Sequence, residues 1–203
     1  ITKIYSNPGA IGKMAAGYLL ENGFKHLAYS GFSSFQWAMR REESFKEAAD
    51  KSFCGCIYFD DERENWDRLT RWVMGLPKPC AIFSCNDTNA RIIIRVCQSV
   101  ALRVPEDIAV LGADNDEFLC RITTPMITSI NLDYRKFGYR IGQLMDEVIS
   151  GIIPAPRAIV NEPSGIVERQ SAGLCIEDPL VRQVLKRMRT RFTEGIGIPD
   201  VLE

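Results

Sequence analysis

Short apolar runs alternate along the chain with stretches in which apolar side chains recur at helical spacing. Runs at residues 80–83 and 108–111 are bounded by turn residues, and each is followed by a carboxylate, Asp87 or Asp114. Such runs are typical of strands that are buried on both faces of a parallel sheet. Residues 88–101 place apolar side chains on one helical face and arginines on the other. The order strand, helix, strand predicts a parallel crossover unit.

The same alternation extends over most of the chain and predicts an α/β fold with a parallel sheet flanked by helices. Asp114 is followed by an acidic stretch that we expect to be a loop. A last helix is predicted to begin at Asp178-Pro179, with aspartate as its N-cap and proline at its first position. The other predicted strands lie at residues 1–5, 26–30, 56–59, 127–130, 158–160 and 165–169, and the other predicted helices at residues 11–22, 35–48, 66–76 and 132–149.

The composition is that of an ordinary α/β protein of one or two domains. The chain has 203 residues, of which 46% are hydrophobic and 25% charged, and its formal net charge is −1. No apolar run approaches the roughly 20 residues that a membrane helix needs, and no signal peptide is visible. We therefore expect a cytoplasmic protein without a membrane partner. A net charge near zero gives no reason to expect that the whole chain binds nucleic acid.

The cysteines and the single histidine do not form a metal-binding pattern. Cys54 and Cys56 have no second pair at ligand spacing, and His26 begins a predicted strand, at the sheet end far from the crevice. We expect the seven cysteines to be reduced and mostly buried. The sequence indicates no cofactor, no metal and no catalytic residue.

The two aspartates that follow strands are candidates for a ligand site. Ligands of open α/β sheets bind at the carboxyl ends of the strands, so Asp87 and Asp114 would line a polar crevice beside Asn86 and Asn115. Carboxylates accept several hydrogen bonds, which suits a polyhydroxylated ligand. The alternative is that both aspartates cap helices. Two carboxylates about 5–10 Å apart would also fit a glycoside-processing enzyme.

Trp37 and Arg41 are four residues apart in a predicted helix and can project from one face near the crevice. The alternative is a buried tryptophan with the arginine stem packed over it.

The motifs in combination resemble the sugar-sensing domain of LacI/GalR-type repressors over residues 1 to about 171. Residues 178–203 resemble the opening of an AraC-type DNA-binding domain, through Gly195-Ile-x-Ile198-x-Asp-Val-Leu202. A LacI-like sugar-sensing domain followed by an AraC-type DNA-binding domain is the arrangement of the xylose operon regulators. The segment Glu64-Asn65-Trp66 also resembles these regulators. The sensor motifs are Gly23-Phe-Lys-His-Leu-Ala, Arg41-x-x-x-Phe45, Ala81-Ile-Phe-Ser-Cys-Asn86-Asp87, Val104-Pro105-Glu-Asp-Ile-Ala-Val-Leu-Gly112-x-Asp114-Asn115, Pro125-x-x-Thr128-Ser-Ile and Ile166-Val-x-Arg169-x-Ser171.

This resemblance implies a periplasmic-binding-protein-like type I fold in which the first subdomain is largely missing. Residues 1–6 would end that subdomain, 7–126 would form the second, 127–153 would return to the first, 154–171 would close the domain, and 178–203 would begin the DNA-binding domain. The implied protein is a homodimeric, non-enzymatic regulator that senses a pentose such as xylose and binds operator DNA through its C-terminal domain. A transport-associated sugar-binding protein is the alternative with the same fold.

The resemblance also implies the roles of individual residues in sugar binding. Hydroxyl contacts fall on carboxylates, amides and an arginine, and stacking falls on tryptophans. Asn86 and Asp87 are both candidates, and the resemblance leaves open which of them reaches the ligand. The implied ligand-binding residues are Asp114, Asp87, Asn65, Arg41, Trp66, Trp37 and Asn86.

Overall fold

The computed structural model describes residues 2–59, 66–154 and 156–175 together with positions 178, 181 and 184. A short 3-10 helix, Asp50–Ser52, precedes the third strand. The strands are β1 (Lys3–Ser6), β2 (Leu27–Gly31), β3 (Phe53–Tyr58), β4 (Cys80–Ser84), β5 (Ile108–Asp114), β6 (Thr128–Asn131), β7 (Ala158–Asn161) and β8 (Gly165–Val167). The helices are α1 (Pro8–Glu21), α2 (Gln36–Ala49), α3 (Trp66–Gly75), α4 (Asp87–Ser99), α5 (Glu117–Ile122) and α6 (Tyr134–Ile149).

The strands form two sheets. The larger sheet has the order β3-β2-β4-β5-β6-β8, in which β8 is antiparallel to β6 and the other neighbours are parallel. Strands β1 and β7 pair in parallel as a separate two-stranded sheet. The parallel α/β fold that the sequence predicts is therefore confirmed.

Strand β4 shows why the apolar runs predicted buried strands. Successive side chains of a strand point to opposite faces. Phe83 packs in the cluster with α1 and α2, whereas Ile82 packs in the cluster with α3 and α4. All five residues of the strand are buried. Because helices cover both faces of the sheet, every position of its central strands is apolar or hydrogen-bonded.

The ends of two helices show how local sequence sets their bounds. The Asn7 side chain caps α1 by accepting a hydrogen bond from Ala10 N at 3.1 Å, and Gly23 follows the helix at φ +87°, a conformation in which glycine commonly ends a helix. The sequence had suggested a loop for the acidic stretch after Asp114, but this stretch leads directly into a helix. Asp116 Oδ1 accepts from Leu119 N at 3.0 Å and caps the short helix α5.

Strand β6 lies just beyond the predicted boundary at residue 126. The sequence placed residues 127–153 outside the second subdomain, but β6 is hydrogen-bonded to β5, so the large sheet extends through Asn131. The division into two subdomains otherwise stays a prediction. Asp178 Oδ1 accepts from Val181 N at 3.2 Å, as expected of an N-cap. The rest of the predicted DNA-binding segment, 178–203, lies outside the described residues.

Candidate functional site

The candidate site lies where β5 ends, at the carboxyl edge of the large sheet. Asp114 has φ +99° and Asn115 has φ +52°, a region that side chains other than glycine rarely adopt. The chain therefore turns sharply after the strand. The Asp114 side chain is 32% exposed, which leaves part of its carboxylate accessible to a ligand. Non-glycine residues in such conformations cost free energy and cluster at functional sites.

Arg41 reaches this carboxylate from α2. Its side chain is 6% exposed, and its Nη2 lies 3.3 Å from Asp114 Oδ1. Its Nη1 donates a hydrogen bond to the main-chain oxygen of Cys85, the residue that follows β4. The guanidinium is thus fixed between the ends of two neighbouring strands, and its buried Nε has no protein partner among the described residues.

Trp37 lies beside Arg41, as the spacing of four residues predicted. The Arg41 Cζ atom is 5.0 Å from the indole centroid. Trp37 is 38% exposed whereas Arg41 is buried, so the alternative of a buried tryptophan under an arginine stem is wrong. The indole belongs to an aromatic group that the sequence analysis missed, although three aromatic residues within six positions were a visible signal. Phe35 stacks on Trp37 at 6.0 Å, and Phe32 contacts both rings edge to face.

Tyr134 is a further group at the site that the sequence analysis missed. Its hydroxyl donates to Asp114 Oδ1 at 3.3 Å from the first residue of α6, and the residue is 51% exposed. Partial burial and the nearby Asp114 charge raise the pKa of the Tyr134 hydroxyl. The phenol therefore stays protonated and can donate. Only its position at the start of a predicted helix could have suggested this role.

Asp87 is oriented into the protein. It is 2% exposed, and its Oδ1 accepts from the Ser129 hydroxyl at 2.6 Å while its Oδ2 accepts from Asp116 N at 2.8 Å. Burial raises its pKa to about 6. A β-carbon at Gly112 would collide with the carboxylate, so glycine at this position leaves room for it. The structure therefore gives Asp87 partners that connect α4 to β6 and to the turn after Asp114.

The two asparagines beside the aspartates also have partners. Asn86 Oδ1 accepts from Asn89 N at 2.9 Å and caps α4, and Asp116 caps α5, so the alternative that Asp87 and Asp114 are the helix caps is wrong. Asn115 Oδ1 accepts from Arg169 Nη2 at 2.7 Å. Ser129 Oγ accepts from Asn115 N at 3.1 Å and donates to Asp87. A continuous network therefore holds the turn that carries Asp114.

The remaining predicted site residues lie elsewhere or outside the described chain. Trp66 begins α3, packs in the α3 and α4 cluster, and has its ring 5.8 Å from the Arg95 Cζ atom. Asn65 is outside the described residues. The ligand contacts proposed for both residues stay predictions.

An open groove of about 470 Å³ adjoins Trp37. Its volume is within the range of small-molecule sites. Strand β1, the first residue of α1 and the start of α2 form its walls. The residues that line it are Lys3, Ile4, Tyr5, Ser6, Pro8, Gln36, Trp37 and Arg40.

Across the described ranges, no three side chains of the His, Cys, Asp or Glu type come together as metal ligands. His26 is half-buried just before β2, where its main-chain oxygen accepts from Ala81 N at 2.9 Å. Of the described cysteines, four are buried and all seven are free thiols, as predicted. Among the described residues, no helix is both long and apolar enough to span a membrane.

A mostly parallel sheet with a polar site at its carboxyl edge is the architecture of a ligand-binding α/β domain. Residues 16–172 match the model of the periplasmic binding protein-like domain, and the chain belongs to this family. The chain is 28% identical over 204 residues to the xylose operon regulatory protein of Escherichia coli, which covers 91% of this chain and 52% of that protein. The chain thus spans about half the length of the curated relatives it matches.

Solved structures give the same result. The structure of the xylose-binding transcription activator xylR has a TM-score of 0.80 at 28% identity and covers 100% of this chain and 56% of its own. A periplasmic binding protein/LacI transcriptional regulator from Alkaliphilus metalliredigens, complexed with D-xylulofuranose, has a TM-score of 0.71 at 23% identity over 85% of this chain and 66% of its own. The latter likeness shows the fold alone.

Proposed function

We propose that this chain is the effector-binding part of a sugar-responsive transcriptional regulator. The observation that carries the proposal is the Arg41–Asp114 pair at the carboxyl edge of the sheet, with Trp37 beside it. A partly exposed carboxylate held by a buried guanidinium is an acceptor fixed before the ligand arrives. Pre-formed acceptors reduce the ordering cost of binding a polyhydroxylated ligand. The relatives named above are regulators of transcription.

A pentose such as xylose is the ligand that we propose. Asp114 would accept hydrogen bonds from sugar hydroxyls, and Arg41 would hold that carboxylate in place through its Nη2. Trp37 and Phe35 would offer exposed aromatic surface to the C–H face of the ring. The Tyr134 hydroxyl would exchange its bond with Asp114 for one with the ligand.

Asp87 would act on the ligand through the protein. Both of its oxygens are engaged, and the carboxylate is buried. We assign it the positioning of the turn that carries Asp114. The same orientation counts against Asp87 and Asp114 as the paired carboxylates of a glycoside-processing enzyme, because only one of them is accessible to a substrate.

Regulation would follow from a ligand-shifted equilibrium. A sugar that contacts two subdomains favours their closed arrangement by its differential affinity. Closure would change the spacing of DNA-binding domains in a dimer, and hence their fit to operator half-sites. Helix α5 offers a pairing surface, since Phe118 is 74% and Ile122 54% exposed. The DNA contact would be made by the AraC-type domain that we predict to begin at residue 178.

Isothermal titration calorimetry of the full-length protein against pentoses and hexoses tests the proposal. Asp114→Ala should bind the preferred sugar at least about tenfold more weakly, because a hydrogen bond to a charged group is worth about 1.5–3 kcal/mol. Asp146→Ala removes an exposed carboxylate from α6 and is the control, with unchanged affinity expected. Binding of no sugar by the wild type, or equal binding by Asp114→Ala, would contradict the proposal.

A further inference from the structure

Two cysteine sulfurs lie close together at the end of the sheet opposite the candidate sugar site. Cys54 Sγ and Cys80 Sγ are 3.8 Å apart. Cys54 is exposed on the edge strand β3, and Cys80 is fully buried at the first residue of β4. Neither cysteine belongs to the candidate sugar site.

A bulge in β3 directs Cys54 towards Cys80. Leu27 of β2 pairs with Phe53 and Ala28 pairs with Gly55, so Cys54 is the extra residue of β3 at this point. Bulges of this kind re-aim a side chain. Cys56, two residues further along, packs against the cluster on the α1 and α2 face, whereas Cys80 belongs to the α3 and α4 face. The bulge thus brings one thiol of β3 to the second face.

The strand order does not suit a disulfide between these cysteines. Strands β3 and β4 both pair with β2, which lies between them. At the regular spacing of 4.7–4.9 Å their main chains are about 9–10 Å apart. A disulfide requires Cα atoms about 4.4–6.8 Å apart. The two side chains therefore meet at their sulfurs while their main chains are held too far apart for the covalent bond.

The same separation suits a metal ion between the sulfurs. With a metal–sulfur bond of about 2.3 Å, two sulfurs lie about 4.0 Å apart at a trigonal angle, close to the observed 3.8 Å, whereas a linear arrangement would need about 4.6 Å. Thiolates select soft cations such as Cu(I). The described residues add no third histidine, cysteine or carboxylate to this pair. Two thiolates with no further ligand among the described residues favour a three-coordinate cation whose third ligand comes from solution beside the exposed Cys54.

We propose that Cys54 and Cys80 form a two-thiolate site for a soft, low-coordinate cation of the Cu(I) class. Both thiols lose their protons as the two metal–sulfur bonds form, without any change of oxidation state. The bound ion would link β3 to β4 across β2. It would stabilise the sheet at the end away from the sugar.

An anaerobic titration of the 203-residue chain with Cu(I), in competition with a chromophoric Cu(I) chelator, tests this site. We expect the wild type to retain one equivalent that Cys54→Ser loses. Cys56→Ser is the control from the same strand and the opposite sheet face, and it should retain that equivalent. Cys80→Ser should also lose this equivalent of Cu(I). Cys54→Ser is the more informative variant, because position 54 is exposed and its substitution does not disturb the core.

Two results would overturn the proposal. One is equal retention of Cu(I) by the wild type and Cys54→Ser, when circular dichroism shows both to be folded. The other is a disulfide between Cys54 and Cys80 after mild diamide treatment, found by mass spectrometry of proteolytic peptides, because it would show that the main chains approach more closely than the strand order allows.

Discussion

Replacing Asp87 by asparagine separates a positioning role from direct ligand contact. The side chain is 2% exposed and bonded to Ser129 Oγ and Asp116 N. Asparagine has nearly the same shape, keeps an acceptor for the main-chain N–H, and can donate to the serine oxygen. It cannot ionise. The substitution therefore removes the buried charge while it leaves the network largely connected.

The magnitude follows from the pKa of Asp87, which burial raises from 3.8 to about 6. Below pH 3.8 the side chain is protonated in both the folded and the unfolded chain. Between the two values the unfolded chain is ionised and the folded chain is not, so the free energy of unfolding falls as the pH rises. A difference of about two pKa units corresponds to roughly 3 kcal/mol. Above pH 6 the full cost of the buried charge is present.

Urea denaturation between pH 4 and 8 measures this effect. The free energy of unfolding of the wild type, relative to Asp87→Asn, should decrease by on the order of 3 kcal/mol between pH 4 and pH 7 and then stay level. Asp87→Ala should be less stable than Asp87→Asn at every pH, because Ser129 and Asp116 lose their acceptor, at about 1–3 kcal/mol for each unsatisfied group.

Sugar calorimetry completes the test. If Asp87 positions the turn, Asp87→Asn should bind the preferred sugar with nearly the affinity of the wild type. If the variant binds at least tenfold more weakly while its fold and stability are retained, Asp87 contacts the ligand and the reasoning from its orientation is refuted. Stability profiles that stay parallel from pH 4 to 8 would refute the assignment of a raised pKa.

Two further substitutions test the packing and the assembly. In urea denaturation, Gly12→Ala should lower the free energy of unfolding by about 1–3 kcal/mol, because its β-carbon would collide with main-chain atoms of α2. Gly17→Ala in the same helix is the control: its β-carbon meets no atom, and the free energy of unfolding should rise by about 0.5–1 kcal/mol. Ile122→Glu should shift the sedimentation of the full-length protein from dimer to monomer, because two-fold symmetry places like charges against each other, whereas Met74→Glu on the exposed face of α3 should not. A wild type that is monomeric at micromolar concentration would contradict the proposed pairing.

The order of strands and helices followed from local sequence. The apolar runs that became β4 and β5 and the helical spacing that became α4 are periodic patterns, and each is set by residues within one element. The same holds for Gly23: because glycine adopts positive φ readily, it ends α1 whatever the helix packs against. Helix α5 was missed because its six residues are too few for a helical period to be recognised, and because its acidic first turn has the composition of a loop.

The orientation of the two aspartates was decided only by the tertiary structure. In the sequence, Asp87 and Asp114 occupy equivalent places after equivalent strands. Asp87 turns inward because Ser129, on a strand 42 residues away, donates to it, and Asp114 stays accessible because its main chain turns at positive φ beneath Arg41. Tyr134, likewise, meets Asp114 from a helix 20 residues on. Periodicity reports only the environment of one element, whereas the partner of a polar side chain depends on which distant segments the fold brings to it.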